Sequence, residues 1–174
     1  GSYSFSLSLG AVAQTIAEHS AALAGGNGKT ELSLYQSPAM RDGKRANNPW
    51  LQELPDPVSK VTWDNFAAMS AADMKAKGLQ DGDVIKIDNG NGYSITLPVL
   101  VQPGQARGTI SVAVGYGRTV CGPVGTNVGK NAFPFTSLRN KTIQTTAVVS
   151  IAATGDNSPL AQTQTHHSIE GRNS

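Results

Sequence analysis

Two stretches of the chain set large apolar side chains at every second position. Tyr93, Ile95, Leu97, Val99 and Val101 interleave with Ser94, Thr96, Pro98 and Leu100, and Ile110, Val112, Val114 and Tyr116 interleave with Ser111, Ala113 and Gly115. A period of two sends successive side chains to opposite faces, so both stretches predict half-buried strands. Shorter runs predict strands at residues 32–34, 61–63 and 84–87. A last strand is predicted over residues 142–152, with Ile143, Ala147, Val149 and Ile151 sharing one face. Pro98 lacks a ladder donor and is expected at an edge or a bulge. Closing these strands into a barrel would leave few edges exposed.

The period changes in two places. Leu9, Val12, Ile16 and Leu23 are spaced for one side of a helix, which Gly25-Gly26-Asn27-Gly28 stops. Ser70-Ala71-Ala72-Asp73 predicts a second, short helix. There the Ser70 hydroxyl accepts from the amide near Asp73, and Gly78 ends the helix in a left-handed conformation. Residues 37–57 are polar and proline-marked, which predicts a long loop of the kind that is functional or covered by a partner. After Gly155 the chain turns polar and predicts an extended tail. The expected division is residues 1–28 as a cloning scar and helix from a preceding region, 29–155 as the barrel, and 156–174 as a linker.

Composition agrees with an all-β reading. The 174 residues include 19 glycines and 9 prolines, suited to many tight turns. With 14 basic and 12 acidic residues, the net charge of +2 implies no steering toward nucleic acid or anionic lipid. No apolar run approaches the roughly 18 residues that cross a membrane as a helix. One cysteine, Cys121, makes neither an internal disulfide nor, unaided, a zinc or iron–sulfur site. The chain opens Gly1-Ser2 without methionine, so we read it as a piece of a longer protein.

The run from Ser70 to Ile87, with Lys77-Gly78-Leu79 and Asp81-Gly82-Asp83-Val84, resembles the C-terminal molybdopterin-dinucleotide-binding domain of the molybdenum oxidoreductases. Val101-Gln102-Pro103-Gly104 and Asn131 continue the match. The resemblance implies a mainly β fold, a double-psi β-barrel with short capping helices. Three further runs resemble one subfamily in particular. They are Asn47 through Pro57 with Trp63-Asp64-Asn65, Gly115-Tyr116-Gly117-Arg118, and His166 through Arg172. That subfamily is the large periplasmic subunit of alternative complex III, a membrane-associated respiratory quinol oxidoreductase. Its subunit fuses a molybdopterin-oxidoreductase-like part to a ferredoxin-like iron–sulfur part.

The subfamily implies a non-catalytic scaffold domain on the periplasmic side of the bacterial inner membrane. Its partners would be other domains of its own subunit and other subunits of the complex, without membrane insertion or nucleic acid. No cofactor is expected in this piece, and the iron–sulfur clusters would lie in a downstream part. The alternative is a true molybdopterin guanine dinucleotide-binding domain of a molybdenum oxidoreductase. Arg118, whose guanidinium can fork onto phosphate, would then hold the dinucleotide with Gly117, Tyr116, Asn131 and Gln36. An enzyme of another class on the same barrel, such as a pyruvoyl decarboxylase, would need an internal Gly-Ser cleavage site, which the chain lacks.

Other motifs carry less. Gly122 to Asn131 invites a phosphate-loop reading but has Val124 where the first glycine belongs and Asn131 where Ser or Thr belongs. Asp56, Asp64 and Asp73 form no convincing acid/base pair, no nucleophile motif is present, and no catalytic or metal-ligating residue is expected. His166-His167 would point oppositely on a strand and read as part of the docking linker. Trp50 and Trp63 read as core or inter-domain anchors. Asn140-Lys141-Thr142 matches a glycosylation acceptor, which the bacterial resemblance makes idle.

Overall fold

The computed structural model describes residues 8–23, 29–139 and 141–164. Six strands close a barrel in the order β1, β5, β2, β4, β3, β8. These are β1 (Thr30–Gln36), β2 (Ala67–Met69), β3 (Asp83–Asp88), β4 (Ser94–Val101), β5 (Thr109–Val114) and β8 (Thr146–Asn157). β1 runs parallel to β5 and β2 parallel to β4, while the remaining pairs are antiparallel. The mainly β, closed barrel with few short helices is the fold class that the sequence implies.

The alternating residues fill the barrel. Leu32 and Leu34, Ile85 and Ile87, Ile95, Leu97 and Val99, and Ile110, Val112 and Val114 share one core. Each fully buried side chain of this kind contributes about 1.5–3 kcal/mol against its exposed state. One end of the barrel is closed by α3 (Ala71–Lys77), whose Met74 enters the core. Its ends follow the expected chemistry. Ser70 Oγ accepts from the Asp73 amide at 3.1 Å, and Gly78 adopts φ +66°. The Asp73 carboxylate also accepts from the Gly108 amide at 2.8 Å, joining the helix to the turn before β5.

Two expected strands are corrected. Residues 61–63 form no strand: Trp63 has φ +67°, and Val61 makes only an isolated bridge to Gln162. The strand lies instead at β2, whose three residues are all buried. Ala68 faces a second small cluster with Val61, Phe66 and Leu100, so no alternation marks the strand in the sequence. The predicted last strand is two strands. β7 (Thr142–Gln144) pairs with β6 (Ser137–Arg139) in a separate hairpin, and its Ile143 is exposed opposite Leu138. The chain enters the barrel only after Thr145, whose carbonyl accepts from the Leu34 amide at 2.7 Å.

The loop over residues 37–57 contains α2 (Pro49–Glu53), capped by the Asn48 side chain. The polar stretch after Gly155 does not leave the barrel at once. β8 continues to Asn157, Leu160 packs on the second cluster, and Thr62 donates to the Ala161 carbonyl at 2.9 Å. Pro98 sits opposite Val84, one residue before β4 begins to pair with β2, so its missing donor falls outside that ladder. α1 (Leu9–Leu23) is helical as predicted, with Leu9, Val12 and Ile16 exposed.

Candidate functional site

The end of the barrel opposite α3 collects the exits of β1 and β5 and the entries of β2 and β4. β1 and β5 are parallel, with Gln36 opposite Val114, so the segments following both strands emerge side by side. Gly115 then packs on the 41–43 turn. A side chain at Gly43, which has φ +82°, would overlap the Gly115 carbonyl oxygen. Gly117, at φ +71°, lets the chain cross directly over the backbone of Lys130 and Asn131, where any Cβ would collide. Beyond it the loop closes on itself. Gly117 donates to the Val128 carbonyl and Asn127 to the Arg118 carbonyl, both at 2.7 Å.

Side chains from distant loops pin this arrangement. Asn65 is buried and donates through Nδ2 to the carbonyls of Ala113 at 3.0 Å and Lys130 at 2.9 Å. Its Oδ1 accepts from the Lys130 amide at 2.8 Å. Asp64 Oδ1 accepts from the Gly129 amide at 3.0 Å, and Asn47 Oδ1 accepts from the Val124 amide at 3.0 Å. Tyr93 donates its hydroxyl to the Asn131 carbonyl at 2.6 Å, and its ring meets Phe135 edge-on.

Two neighbouring clefts result. Tyr116, Gly117, Arg118 and Asn131 line one of about 410 Å³, together with Gly115 and Phe133. Gln36 lines the other, of about 500 Å³, with Arg41, Lys44 and Arg45. The Arg118 guanidinium joins them, since Nη2 donates to the Asp42 carbonyl at 3.1 Å. The structure thus brings four of the five sequence-derived residues into one cleft and puts Gln36 in the next. Tyr116 also lines a tight void of about 20 Å³ with Tyr35, Gln52, Asp56 and Asp64. Burial first, and then the nearby Asp56 and Asp64, push its phenol above the usual range, while a hydrogen bond with Ser37 acts the other way. Tyr35 is pushed up as well, again chiefly by burial.

Asp42 keeps its negative charge beside the clefts, paired with one of the nearby cations. Its carboxylate is held below the usual range by the Lys44 amide and then by the Lys44 ammonium, 3.1 Å away. Arginines nevertheless outnumber this one acid around the two clefts, a set of groups that fits an anionic ligand. A guanidinium carries five N–H donors, and Arg118 engages one of them. Arg41 and Arg45 add cations beside the Lys44–Asp42 pair, and both volumes lie within the roughly 300–1,000 Å³ of small-molecule sites.

Sequence reasoning missed the basic trio, which the run Arg41-Asp42-Gly43-Lys44-Arg45 announces within the long loop. It also missed Asn47, Asp64 and Asn65 as struts, having singled them out within family-like runs and Asp64 besides as an acid/base candidate. Trp50 is exposed rather than core. Among the described residues no group of three or more His, Cys, Asp or Glu side chains could hold a metal ion. No described helix is long and apolar enough to cross a membrane. His166, His167 and Asn140 lie outside the described residues.

Comparison with known proteins bears on this geometry. The family model described as the molydopterin dinucleotide binding domain matches residues 40–149. Among solved structures, the chain is similar to acetylene hydratase from Pelobacter acetylenicus, with a TM-score of 0.50 and 15% identity. That likeness covers 70% of this chain and 18% of that one, and at such identity it speaks for the fold. No curated protein matches the sequence.

Proposed function

This chain belongs to the molydopterin dinucleotide binding domain family, and from that premise we propose that it serves as a scaffold barrel within a larger redox subunit. The parent would be the molybdopterin-oxidoreductase-like, iron–sulfur subunit of a membrane-associated quinol oxidoreductase of the alternative complex III class. It would stand on the periplasmic side of the bacterial inner membrane. The barrel end with the two clefts would shape an interface with other domains of the subunit and with other subunits, while electrons pass through iron–sulfur clusters elsewhere.

The observation that carries this reading is how far the loops of the barrel end are bonded to one another. Arg118 is tied to Asp42, the Asn131 side chain accepts from the Phe133 amide at 3.0 Å, and the Gly117 amide is bonded to Val128. Beside them Val120 is almost fully exposed. Solubilised membranes of cells making the full-length protein provide the test. The protein should migrate within a large complex that oxidises quinol and holds iron but well under one equivalent of molybdenum or tungsten. A full-length protein found alone in the soluble fraction would refute the assignment.

The cations around the clefts favour a second reading, in which the barrel grips a molybdopterin guanine dinucleotide. Arg118 and Asn131, with Arg41, Lys44, Arg45 and Gln36 on the neighbouring side, would hold its phosphate and polar groups. Such a cofactor, when bound, supplies the redox-active metal centre. The barrel's residues would only bind and orient it. Stoichiometric, tight calorimetric binding of the dinucleotide by this chain, abolished by Arg118→Ala, would replace the first reading with the second.

A further inference from the structure

Gln52 lies in α2, where it is 2% exposed. Its Nε2 donates to the Ala46 carbonyl at 2.8 Å, and its backbone carbonyl accepts from the Trp63 amide at 2.8 Å. The Ala46 carbonyl can only accept, so the side-chain amide must turn its nitrogen there and its oxygen elsewhere. That oxygen, Oε1, is the one buried side-chain nitrogen or oxygen among the described residues without a hydrogen bond. Such atoms are rare in folded proteins, because nothing offsets the loss of solvation, and each asks what satisfies it.

Gln52 lines the void of about 20 Å³ beside Tyr116, and Ala46 does not. The other polar residues around that void are Tyr35, Ser37, Asp56, Asp64 and Tyr116. A buried water needs about 10–15 Å³ of such room and two to four polar partners, so the void fits one water and nothing larger. Its phenols lie in one polar region. Tyr116 is hydrogen-bonded with Ser37, and Tyr35 is pushed up by burial and then by Asp56 and Tyr116. A cation would have to compete for oxygens already engaged. Asp56 Oδ1 accepts from the Val58 amide at 3.0 Å, the Ser59 amide at 2.8 Å and the Ser59 hydroxyl at 2.9 Å, and Asp64 Oδ1 accepts from the Gly129 amide at 3.0 Å. What Gln52 Oε1 lacks is a donor, and a water molecule brings two.

We propose that this void is a binding site for one water molecule, which donates to Gln52 Oε1 and takes its remaining partners from the phenols of Tyr35 and Tyr116. The water ties α2, and with it the loop that lines the Gln36 cleft, to β1 and to the segment after β5. The proposal rests on neither reading of the function. Crystals of the chain that diffract well enough to place solvent test it, with the Gln52→Met variant and a second set of wild-type crystals grown in a rubidium salt. The wild type should show one solvent molecule at hydrogen-bond distance from Oε1. Gln52→Met should lose it, and the rubidium crystals should give no anomalous peak there. Should Gln52→Met fail to fold, the two wild-type measurements still decide. No density at Oε1, a protein group bonded to Oε1 instead, or a water that persists unchanged in Gln52→Met would overturn the proposal. So would a rubidium peak, which would make the site one for a monovalent cation.

Discussion

Replacing Asn65 tests the account of the barrel end most directly. Its side chain makes three hydrogen bonds, to the Ala113 carbonyl, the Lys130 carbonyl and the Lys130 amide, and it is 1% exposed. Each such bond contributes about 0.5–1.5 kcal/mol net, and each partner left buried and unpaired costs about 1–3 kcal/mol. Asn65→Ala should therefore lower stability by about 3 kcal/mol. In a domain of this size that is a fall in Tm of about 10 °C. Asn65→Asp separates hydrogen bonding from packing. The carboxylate still accepts from Lys130 but cannot donate, and it sets its oxygens against two carbonyls.

With no cation bonded at that position, the introduced acid's pKa rises on folding. Its neutral form, which can donate once, is then favoured in the folded state. The penalty relative to the wild type should be smallest below the unfolded value of about 3.9 and should grow as pH rises through the folded pKa. Urea unfolding of both variants and the wild type, at matched pH between 4 and 8, reads these differences. Amide exchange across residues 113–131 should quicken in both variants. A loss below about 1 kcal/mol for Asn65→Ala, or a pH-independent penalty for Asn65→Asp, would refute the reasoning.

Glycine substitutions should divide by what surrounds them. Gly117→Ala and Gly43→Ala force a Cβ into backbone and should each cost more than about 2 kcal/mol, whereas Gly78→Ala, with nothing within 4 Å, should cost only the left-handed strain of about 1–2 kcal/mol. Thermal melts of the three variants check the order. Tyr93→Phe removes the hydroxyl bond to the Asn131 carbonyl but keeps the contact with Phe135, so it should cost about 1 kcal/mol by urea unfolding. The Asp83 carboxylate is held below the usual range by the Gln80 amide and then by Asn157. Its contribution is therefore present above the unfolded pKa and lost as pH falls through the folded one. Asp83→Asn should flatten part of the acid limb of the stability curve, and an unchanged limb would contradict that assignment.

The sequence by itself determined the strands with one buried and one outward face. Over β4 and β5 the alternation named Ile95, Leu97, Val99, Ile110, Val112 and Val114 as core side chains, because a period of two is a local property of the chain, but it set the buried Leu100 and Ala113 on the outward face. Both ends of α3 were equally legible, since the Ser70 cap and the left-handed Gly78 act within a few residues of themselves. β2 was not legible, since a strand buried on both faces has no alternation to read. The break between β7 and β8 also escaped, because it is set by Thr145 bonding to Leu34 across the fold.

Family-like runs pointed to Gly115 through Arg118, but not to what holds them. The ties that shape the barrel end span 48 residues from Asn65 to Ala113, 65 from Asn65 to Lys130, and 76 from Arg118 to Asp42. No periodicity or turn signal reports such pairings. They exist because β1 and β5 lie parallel and release their following loops at the same end, where buried carbonyls and amides must find partners. Only the closed barrel decides which asparagine supplies them.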